Sequence, residues 1–224
     1  MVMSVRHILT SAVLLALFAL IGTTLVALIH DGTAERIIEN ERLATLRNLN
    51  AILPHERYDN ELLADQRVIR DETLAGGQPV TVYRAFRDES PVAAVFATVA
   101  PDGYGGPIRL LVGVNVDGTV AGVRVTGHRE TPGLGDPIEA SRSDWILGFD
   151  GRSLGHPPLA RWAVARDGGV FDQFTGATIS PRAVVGAVRE VLVYFAAHGE
   201  TIFPSLAAPA GDAPTEPSEE EPDE

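Results

Sequence analysis

The sequence contains neither cysteine nor lysine. Without cysteine, the chain supplies no ligands for iron–sulfur clusters or thiolate-bound zinc, and it forms no disulfides. All 18 basic residues are arginines, and 30 acidic residues bring the formal charge to −12. No basic patch offsets this excess, so the phosphate backbone of a nucleic acid would be repelled. We therefore expect no nucleic-acid partner.

Several catalytic and metal-binding patterns are also missing. The six histidines are scattered, and no two have the spacing of a His-x-x-x-His or His-Glu-x-x-His pair. There is no Gly-x-Ser-x-Gly elbow, no Walker loop and no Rossmann glycine motif between a strand and a helix. The sequence accordingly predicts no metal site and no catalytic residue in this chain.

The negative charge is concentrated at the C-terminal end. Residues 211–224 include seven acids and no base, which leaves 18 bases and 23 acids, a charge of −5, for the rest. An acidic, proline-containing segment without aromatics cannot bury enough apolar surface to fold. We expect residues 201–224 to form a disordered tail, with a docking role as the alternative.

Residues 8–29 form the longest uncharged apolar run. As a helix, these 22 residues would extend about 33 Å, enough to cross a hydrocarbon core of about 30 Å. The alternative is a cleaved signal peptide, but the run is long for one, and the nearest small-x-small triplet lies beyond its end. Arg6 precedes the run, so the positive-inside rule predicts residues 1–7 in the cytoplasm and an exported domain.

Residues 30–78 are predicted to connect the span to a domain. Residues 34–53 have apolar side chains near helical spacing and end before Pro54, which indicates an amphipathic helix. A stalk is the plain interpretation, and a partner-binding helix is the alternative. Residues 55–77 are polar and indicate no clear element.

The pattern changes to strands in residues 79–200, which we interpret as one domain. Runs rich in Val, Ala, Phe and Ile predict strands at 79–86, 92–100, 108–116 and 119–126, and Asp117-Gly118 between the last two is a hairpin signal. The expected fold class is α+β, with a mainly antiparallel sheet and flanking helices. Residues 136–149 are predicted to form a short helix that carries Trp145, and residues 163–170 a hairpin.

Three glycine-containing segments are candidates for a binding site. Tyr104 lies among glycines, where its ring can contact a planar ligand. In residues 127–135, Gly133 and Gly135 allow close backbone approach, and Pro132 stiffens the loop. Residues 172–178 read Asp-Gln-Phe-Thr-Gly-Ala-Thr and run into a predicted helix at 181–197.

Ser180 is predicted to cap that helix, Pro181 to occupy its first position, and Gly199 to end it. Thr178 would then lie beside a helix N-terminus, which favours an anion such as phosphate. Each segment taken alone is also typical of an ordinary turn or a capped helix.

Two motifs together carry a family resemblance. Asp-x-x-Thr-Gly-Ala-Thr at 172–178 resembles the attachment motif of proteins that carry FMN through a phosphoester to the last threonine. With Glu-Thr-Pro-Gly-Leu-Gly at 130–135, the chain resembles the G subunit of the Rnf (Rsx) electron transport complex from its anchor to His198.

The resemblance implies specific residue roles. Thr178 would be the covalent FMN acceptor, and the recognition sequence would be Asp172, Thr175, Gly176 and Ala177. Glu130, Thr131, Gly133, Leu134 and Tyr104 are expected to contact the flavin.

The resemblance further implies an electron-carrying component of a complex that couples electron transfer between ferredoxin and NAD to ion translocation. Its expected partners are the other proteins of the complex, the lipid bilayer and a Mg²⁺-dependent flavin transferase. The chain is expected in a bacterial inner membrane, with the domain on the periplasmic side.

Three alternatives stay open. These are a component similar to the C subunit of the sodium-translocating NADH:quinone reductase, a membrane-anchored FMN-binding sensor, and a cofactor-free assembly protein.

Overall fold

A computed structural model describes residues 5–204. Its first element, α1 (Val5–Asn50), is a continuous helix of 46 residues. The predicted span and the predicted stalk helix are therefore parts of one helix. Within the described residues, α1 is the one helix long and apolar enough to cross a membrane, and the apolar side chains of its N-terminal half are exposed.

The described part of the chain divides into two compact units, with the boundary between residues 47 and 48. The second contains a five-stranded antiparallel sheet in the order β1-β2-β3-β4-β5. The strands are β1 (Gln66–Ile69), β2 (Val80–Arg87), β3 (Ser90–Ala100), β4 (Ile108–Asn115) and β5 (Val120–Gly127). The α+β fold class and the four predicted strands are confirmed. Strand β1 lies in a segment for which the sequence indicated no clear element.

Helix α2 (Ile179–Ile202) covers one face of the sheet. Its buried side chains, among them Val184, Val188 and Val191, pack with Phe96 of β3 in the main core. Phe96 also meets the ring of Phe195 edge to face, with 6.4 Å between centroids. Apolar residues at helical spacing thus bury one side of α2 against the sheet.

Both predicted ends of α2 are wrong. Ser180 is not the N-cap, because its hydroxyl is used in a hydrogen bond to Glu130, and Thr178 occupies the cap position instead. Gly199 does not end the helix, since its carbonyl accepts a hydrogen bond from the N–H of Phe203, 2.8 Å away. Phe203 is fully buried and meets Phe86 edge to face. Residues 201–204 thus belong to the packed domain, and the rest of the predicted tail lies outside the described residues.

The opposite face of the sheet is covered by the C-terminal end of α1 and the residues that follow it. The buried residues there include Leu49, Ile52 and Leu53, which join Val95 and Leu111 of the sheet in a second core cluster. Residues 48–78, assigned from the sequence to a stalk and connection, therefore supply part of the domain core.

Two predicted elements between β5 and α2 are wrong. Residues 136–149 contain two 3₁₀ helices, Asp136–Ile138 and Asp144–Phe149, rather than one α-helix. Residues 163–170 form no hairpin, because Val164 bridges Phe171 in parallel and residues 165–167 form a 3₁₀ turn. In both segments the backbone follows the packing of buried aromatic rings around Phe149, which lies 4.6 Å from Phe171 between centroids.

Candidate functional site

A surface hollow of about 330 Å³ lies where three segments of the domain meet. These segments are the β3–β4 connection, the loop that follows β5, and the start of α2. The hollow is lined by Tyr104, Glu130, Thr131, Leu134, Gly135, Gly176, Ala177, Thr178, Ile179 and Ser180. Its volume is within the range typical of small-molecule sites, and its walls combine apolar side chains with few polar groups.

Glu130 is the buried acid of this hollow, with only 5% of its surface exposed. One carboxylate oxygen accepts a hydrogen bond from the N–H of Gly105 at 3.0 Å. The other accepts the hydroxyl of Ser180, which is 1% exposed. A buried carboxyl group needs such hydrogen-bond partners, because an unpaired buried polar group is costly. Glu130 therefore links all three segments that form the hollow.

Close backbone packing surrounds this carboxylate. A side chain on Gly135 would place its Cβ 2.8 Å from the Ser180 hydroxyl and 2.9 Å from Oε2 of Glu130. On Gly105, a Cβ would overlap the carbonyl of Arg129. A side chain at Gly105 would require the neighbouring backbone to shift, and one at Gly135 would displace the side chains of Ser180 and Glu130. The close packing around Glu130 therefore depends on both glycines.

His128 does not line the hollow but supports the backbone of Glu130. Its Nδ1 accepts the N–H of Glu130 at 2.9 Å, and its Nε2 lies 2.6 Å from Oε1 of Glu139. The second Glu139 oxygen accepts the Ser141 hydroxyl at 2.9 Å. Hydrogen bonds from His128 and then Ser141 lower the pKa of the Glu139 carboxyl.

The loop after Glu130 turns tightly and presents Leu134 to the hollow. The N–H groups of Leu134 and Gly135 both donate to the carbonyl of Thr131, at 3.1 and 3.0 Å. Gly133 has φ +76°, and its N–H donates to Oδ1 of Asp136 at 2.7 Å. All of these bonds lie within the protein, and together they hold the shape of this wall.

The segment that precedes α2 is held by an aromatic contact. Trp145 lies 5.2 Å from Phe174 between ring centroids, and its Nε1–H donates to the carbonyl of Asp172 at 2.8 Å. The N–H of Ala177 donates to the carbonyl of Phe174 at 3.1 Å, which closes a turn around Gly176 at φ +81°. This turn leads directly to Thr178.

Thr178 is the half-buried N-cap residue of α2, but its side chain makes no capping hydrogen bond. The N–H groups of a first helical turn have no carbonyl partners within the helix. Together with the macrodipole, they favour negative charge at this position. The arrangement suits a phosphate at the Thr178 hydroxyl and a flat apolar group in the hollow.

Seven of the ten predicted site residues line this hollow. They are Tyr104, Glu130, Thr131, Leu134, Gly176, Ala177 and Thr178. Asp172, Thr175 and Gly133 do not line it. All three are exposed, and Gly133 shapes the loop while the carbonyl of Asp172 anchors Trp145.

Sequence reasoning missed Gly135, Ile179 and Ser180 as lining residues. Gly135 lies in the predicted glycine loop at 127–135 but was not among the residues expected to contact the flavin. Ser180 was missed because a Ser-Pro pair is typical of a helix start in which the serine acts as the cap.

Comparisons with known proteins agree with this geometry. Residues 103–193 match the family described as FMN-binding domain, and this range contains every residue that lines the hollow. Residues 3–52 match the family described as RnfG N-terminal region.

Curated relatives are similar over nearly their whole length. The G subunit of the ion-translocating oxidoreductase complex from Shewanella loihica is 48% identical over 199 residues, which is 88% of this chain and 94% of the relative. The protein of the same name from Pseudomonas aeruginosa is 50% identical, over 88% and 93% of the two chains. That from Vibrio cholerae is 45% identical, over 86% and 92%.

Proposed function

The chain belongs to the family of G subunits of the ion-translocating oxidoreductase complex, and on that premise we propose that it is an electron-transfer protein with FMN attached to Thr178. FMN supplies reversible electron uptake when bound, and the protein positions it and tunes its electronics. The chain then passes electrons between partner proteins of a complex that couples ferredoxin and NAD to ion translocation.

One observation supports this proposal above the others. The hydroxyl of Thr178 is at once a wall of the hollow and the N-cap position of α2, and it is not used for capping. A phosphate esterified there would lie at the positive end of the helix, and the hollow beside it would receive the attached ring system.

The residues present fit FMN. Tyr104, Leu134 and Ile179 offer exposed apolar surface around the hollow, which suits a planar ring system. Gly176 leaves open space, since a Cβ there would meet only Leu134, at 3.8 Å. The buried Glu130 adds a polar group beside this apolar surface. A few convergent polar groups in an apolar site are typical of ligand recognition.

Attachment requires a partner enzyme. We propose that a Mg²⁺-dependent flavin transferase uses FAD as the donor. The Thr178 oxygen forms a bond to the phosphorus of the FMN half, the pyrophosphate bond breaks, AMP leaves, and the hydroxyl proton passes to a base of that enzyme. Asp172 precedes the turn at Gly176 and Thr175 lies within it, and both are exposed and available for recognition by the transferase.

The proposed location follows from α1. Residues 8–29 cross the bacterial inner membrane, residues 1–7 remain in the cytoplasm, and the domain is exposed to the periplasm. Covalent attachment suits this side of the membrane, because a noncovalently bound flavin would be lost by dissociation.

The test is co-expression of the full-length chain with the flavin transferase, followed by intact mass measurement. We expect a gain of one FMN less a water in the wild type and no gain in Thr178→Ala. Since Thr178 makes no capping bond, the variant should keep its helix content. Thr126→Ala is the control, because Thr126 is an exposed threonine of β5 that neither lines the hollow nor belongs to the recognition sequence. Equal flavin content in wild type and Thr178→Ala would refute the proposal.

A further inference from the structure

The chain of hydrogen bonds behind the hollow runs from Ser141 through Glu139 and His128 to Glu130. The His128 side chain is 10% exposed, so both ring nitrogens must find partners within the protein. Both do: Nδ1 faces the N–H of Glu130, and Nε2 faces Oε1 of Glu139. The roles of the two nitrogens follow from the chemistry of those partners.

A backbone N–H can only donate, so the nitrogen that faces it must carry a lone pair. Nδ1 of His128 is therefore unprotonated. Glu139 is an acceptor when ionised, and the hydrogen bonds it receives favour its charged form. Nε2 then bears the proton. His128 is held as the neutral Nε2–H tautomer, so its contact with Glu139 is a hydrogen bond rather than an ion pair.

In this tautomer, the His128 ring restrains the position of the acid Glu130 in the hollow. Between His128 and the 3₁₀ helix at Asp136–Ile138 lies a loop with Gly133 and Gly135, whose backbone has wide conformational freedom. The bond from the Glu130 N–H to His128 restrains the backbone of Glu130. The bonds from Gly105 and Ser180 restrain its carboxylate.

We infer that His128 is a positioning residue of the flavin site, oriented by Glu139, which holds the Glu130 carboxylate at the hollow. The consequence of this inference rests on the proposed FMN function. A negative charge fixed beside the ring system disfavours reduction, because the reduced cofactor is more negative than the oxidised one. His128 thereby lowers the reduction potential through Glu130 and without touching the cofactor itself.

The first test requires no cofactor. ¹⁵N NMR of the full-length chain in detergent, at pH 7, reports the protonation of each imidazole nitrogen. We expect His128 to give one protonated and one unprotonated nitrogen, assigned to Nε2 and Nδ1, and to keep this pattern in Glu139→Gln, whose amide oxygen still accepts. A doubly protonated ring or the opposite tautomer would overturn the inference, whether or not FMN is attached.

The second test separates positioning from packing. His128→Asn keeps an acceptor for the Glu130 N–H, since asparagine oxygens form this bond two residues along the chain. His128→Leu has similar bulk and no acceptor. In FMN-loaded protein we expect the midpoint potential to rise in His128→Leu and to stay near the wild-type value in His128→Asn. Both variants lose the contact with Glu139, so a loss of stability common to both does not explain a difference in potential.

A double-mutant cycle completes the test, because residues that act through one another are not additive. His128→Leu should add no further rise in the Glu130→Gln background. Full additivity, or equal shifts in His128→Leu and His128→Asn, would overturn the inference while leaving the attachment of FMN at Thr178 intact.

Discussion

At the scale of single residues, the charge of the hollow depends on Glu130. Its carboxylate is buried and receives hydrogen bonds from Gly105 and Ser180, and no arginine is hydrogen-bonded to it among the described residues. Its hydrogen-bond donors among the described residues are thus neutral groups. A negative charge on this acid would act strongly on anything bound next to it.

Glu130→Gln should therefore raise the midpoint potential of the attached FMN. The amide preserves size and one of the two acceptor oxygens, so the expected loss of stability is modest, about 1 kcal/mol, as for one weakened hydrogen bond. Redox titration of the loaded wild type and variant measures the shift. The control is Glu72→Gln, an exposed acid outside the hollow, which should leave the potential unchanged. An unchanged or lower potential in Glu130→Gln would show that the charge does not act on the flavin.

Individual site residues were only partly predictable from the sequence. Thr178, Gly176 and Glu130 belong to continuous motifs, and a motif can be recognised without knowledge of the fold. Ser180 was misassigned as a cap, because its hydroxyl binds a carboxylate 50 positions away in the chain. The support from His128 was missed for the same reason: it depends on Glu139, which only the folded loop brings within 2.6 Å.

At the scale of elements, the start of α2 depends on its close contact with the loop after β5. Gly135 lies against Ser180 and Glu130, with no room for a Cβ. Gly186, farther along the same helix, would have nothing within 4 Å of an added Cβ. The two positions form a matched pair for the substitution of glycine by alanine.

Gly135→Ala should destabilise the domain by about 1–3 kcal/mol, since the added methyl group must displace Ser180 or Glu130. Gly186→Ala should be neutral or stabilising by about 0.5–1 kcal/mol, because alanine is the better helix former. Urea unfolding of both variants measures the difference in free energy. Equal stabilities would mean that the hollow tolerates a looser loop than the distances indicate.

The hydrogen bond between His128 and Glu139 makes the stability of the loop after β5 depend on pH. The pKa of Glu139 is lowered in the folded state by hydrogen bonds from His128 and Ser141. Its stabilising contribution is therefore present above the ordinary carboxyl pKa and is lost as the pH falls through the lowered value. Glu139→Gln should be less stable than wild type at pH 7, and the difference should shrink in acid. A difference in unfolding free energy that is constant between pH 7 and pH 3 would contradict this.

Regular elements were easier to predict than irregular ones. The four main strands are runs rich in Val, Ala, Phe and Ile with a hairpin signal at Asp117-Gly118, and the antiparallel sheet followed from them. The 3₁₀ segments between β5 and α2 have no periodicity, and their course follows Trp145 and Phe149, which pack against each other at 5.3 Å. Their structure arises from tertiary contacts that no local pattern encodes.

At the scale of the whole molecule, the absence of cysteine makes the proposed topology directly measurable. Single cysteines introduce unique labelling sites into a chain that has none. Arg70 and Arg161 are exposed residues of the domain, remote in sequence from the motifs of the hollow.

Arg70→Cys and Arg161→Cys should react with a membrane-impermeant maleimide in intact spheroplasts, because the domain is proposed to be periplasmic. Ser4→Cys, at the proposed cytoplasmic end, should react only after the membrane is permeabilised. The reverse pattern would place the domain in the cytoplasm. Labelling of all three without permeabilisation would indicate that α1 does not span the membrane.

The central claim, that FMN is esterified to Thr178, is tested most directly by peptide mapping of the mature protein extracted from membranes that contain an active flavin transferase. The account predicts that the peptide containing Thr178 carries the mass of FMN less a water, and that fragmentation places it on this threonine. If that peptide is unmodified, or if the flavin is found on another residue, the proposed role of the chain as a covalent flavin carrier at this hollow is contradicted.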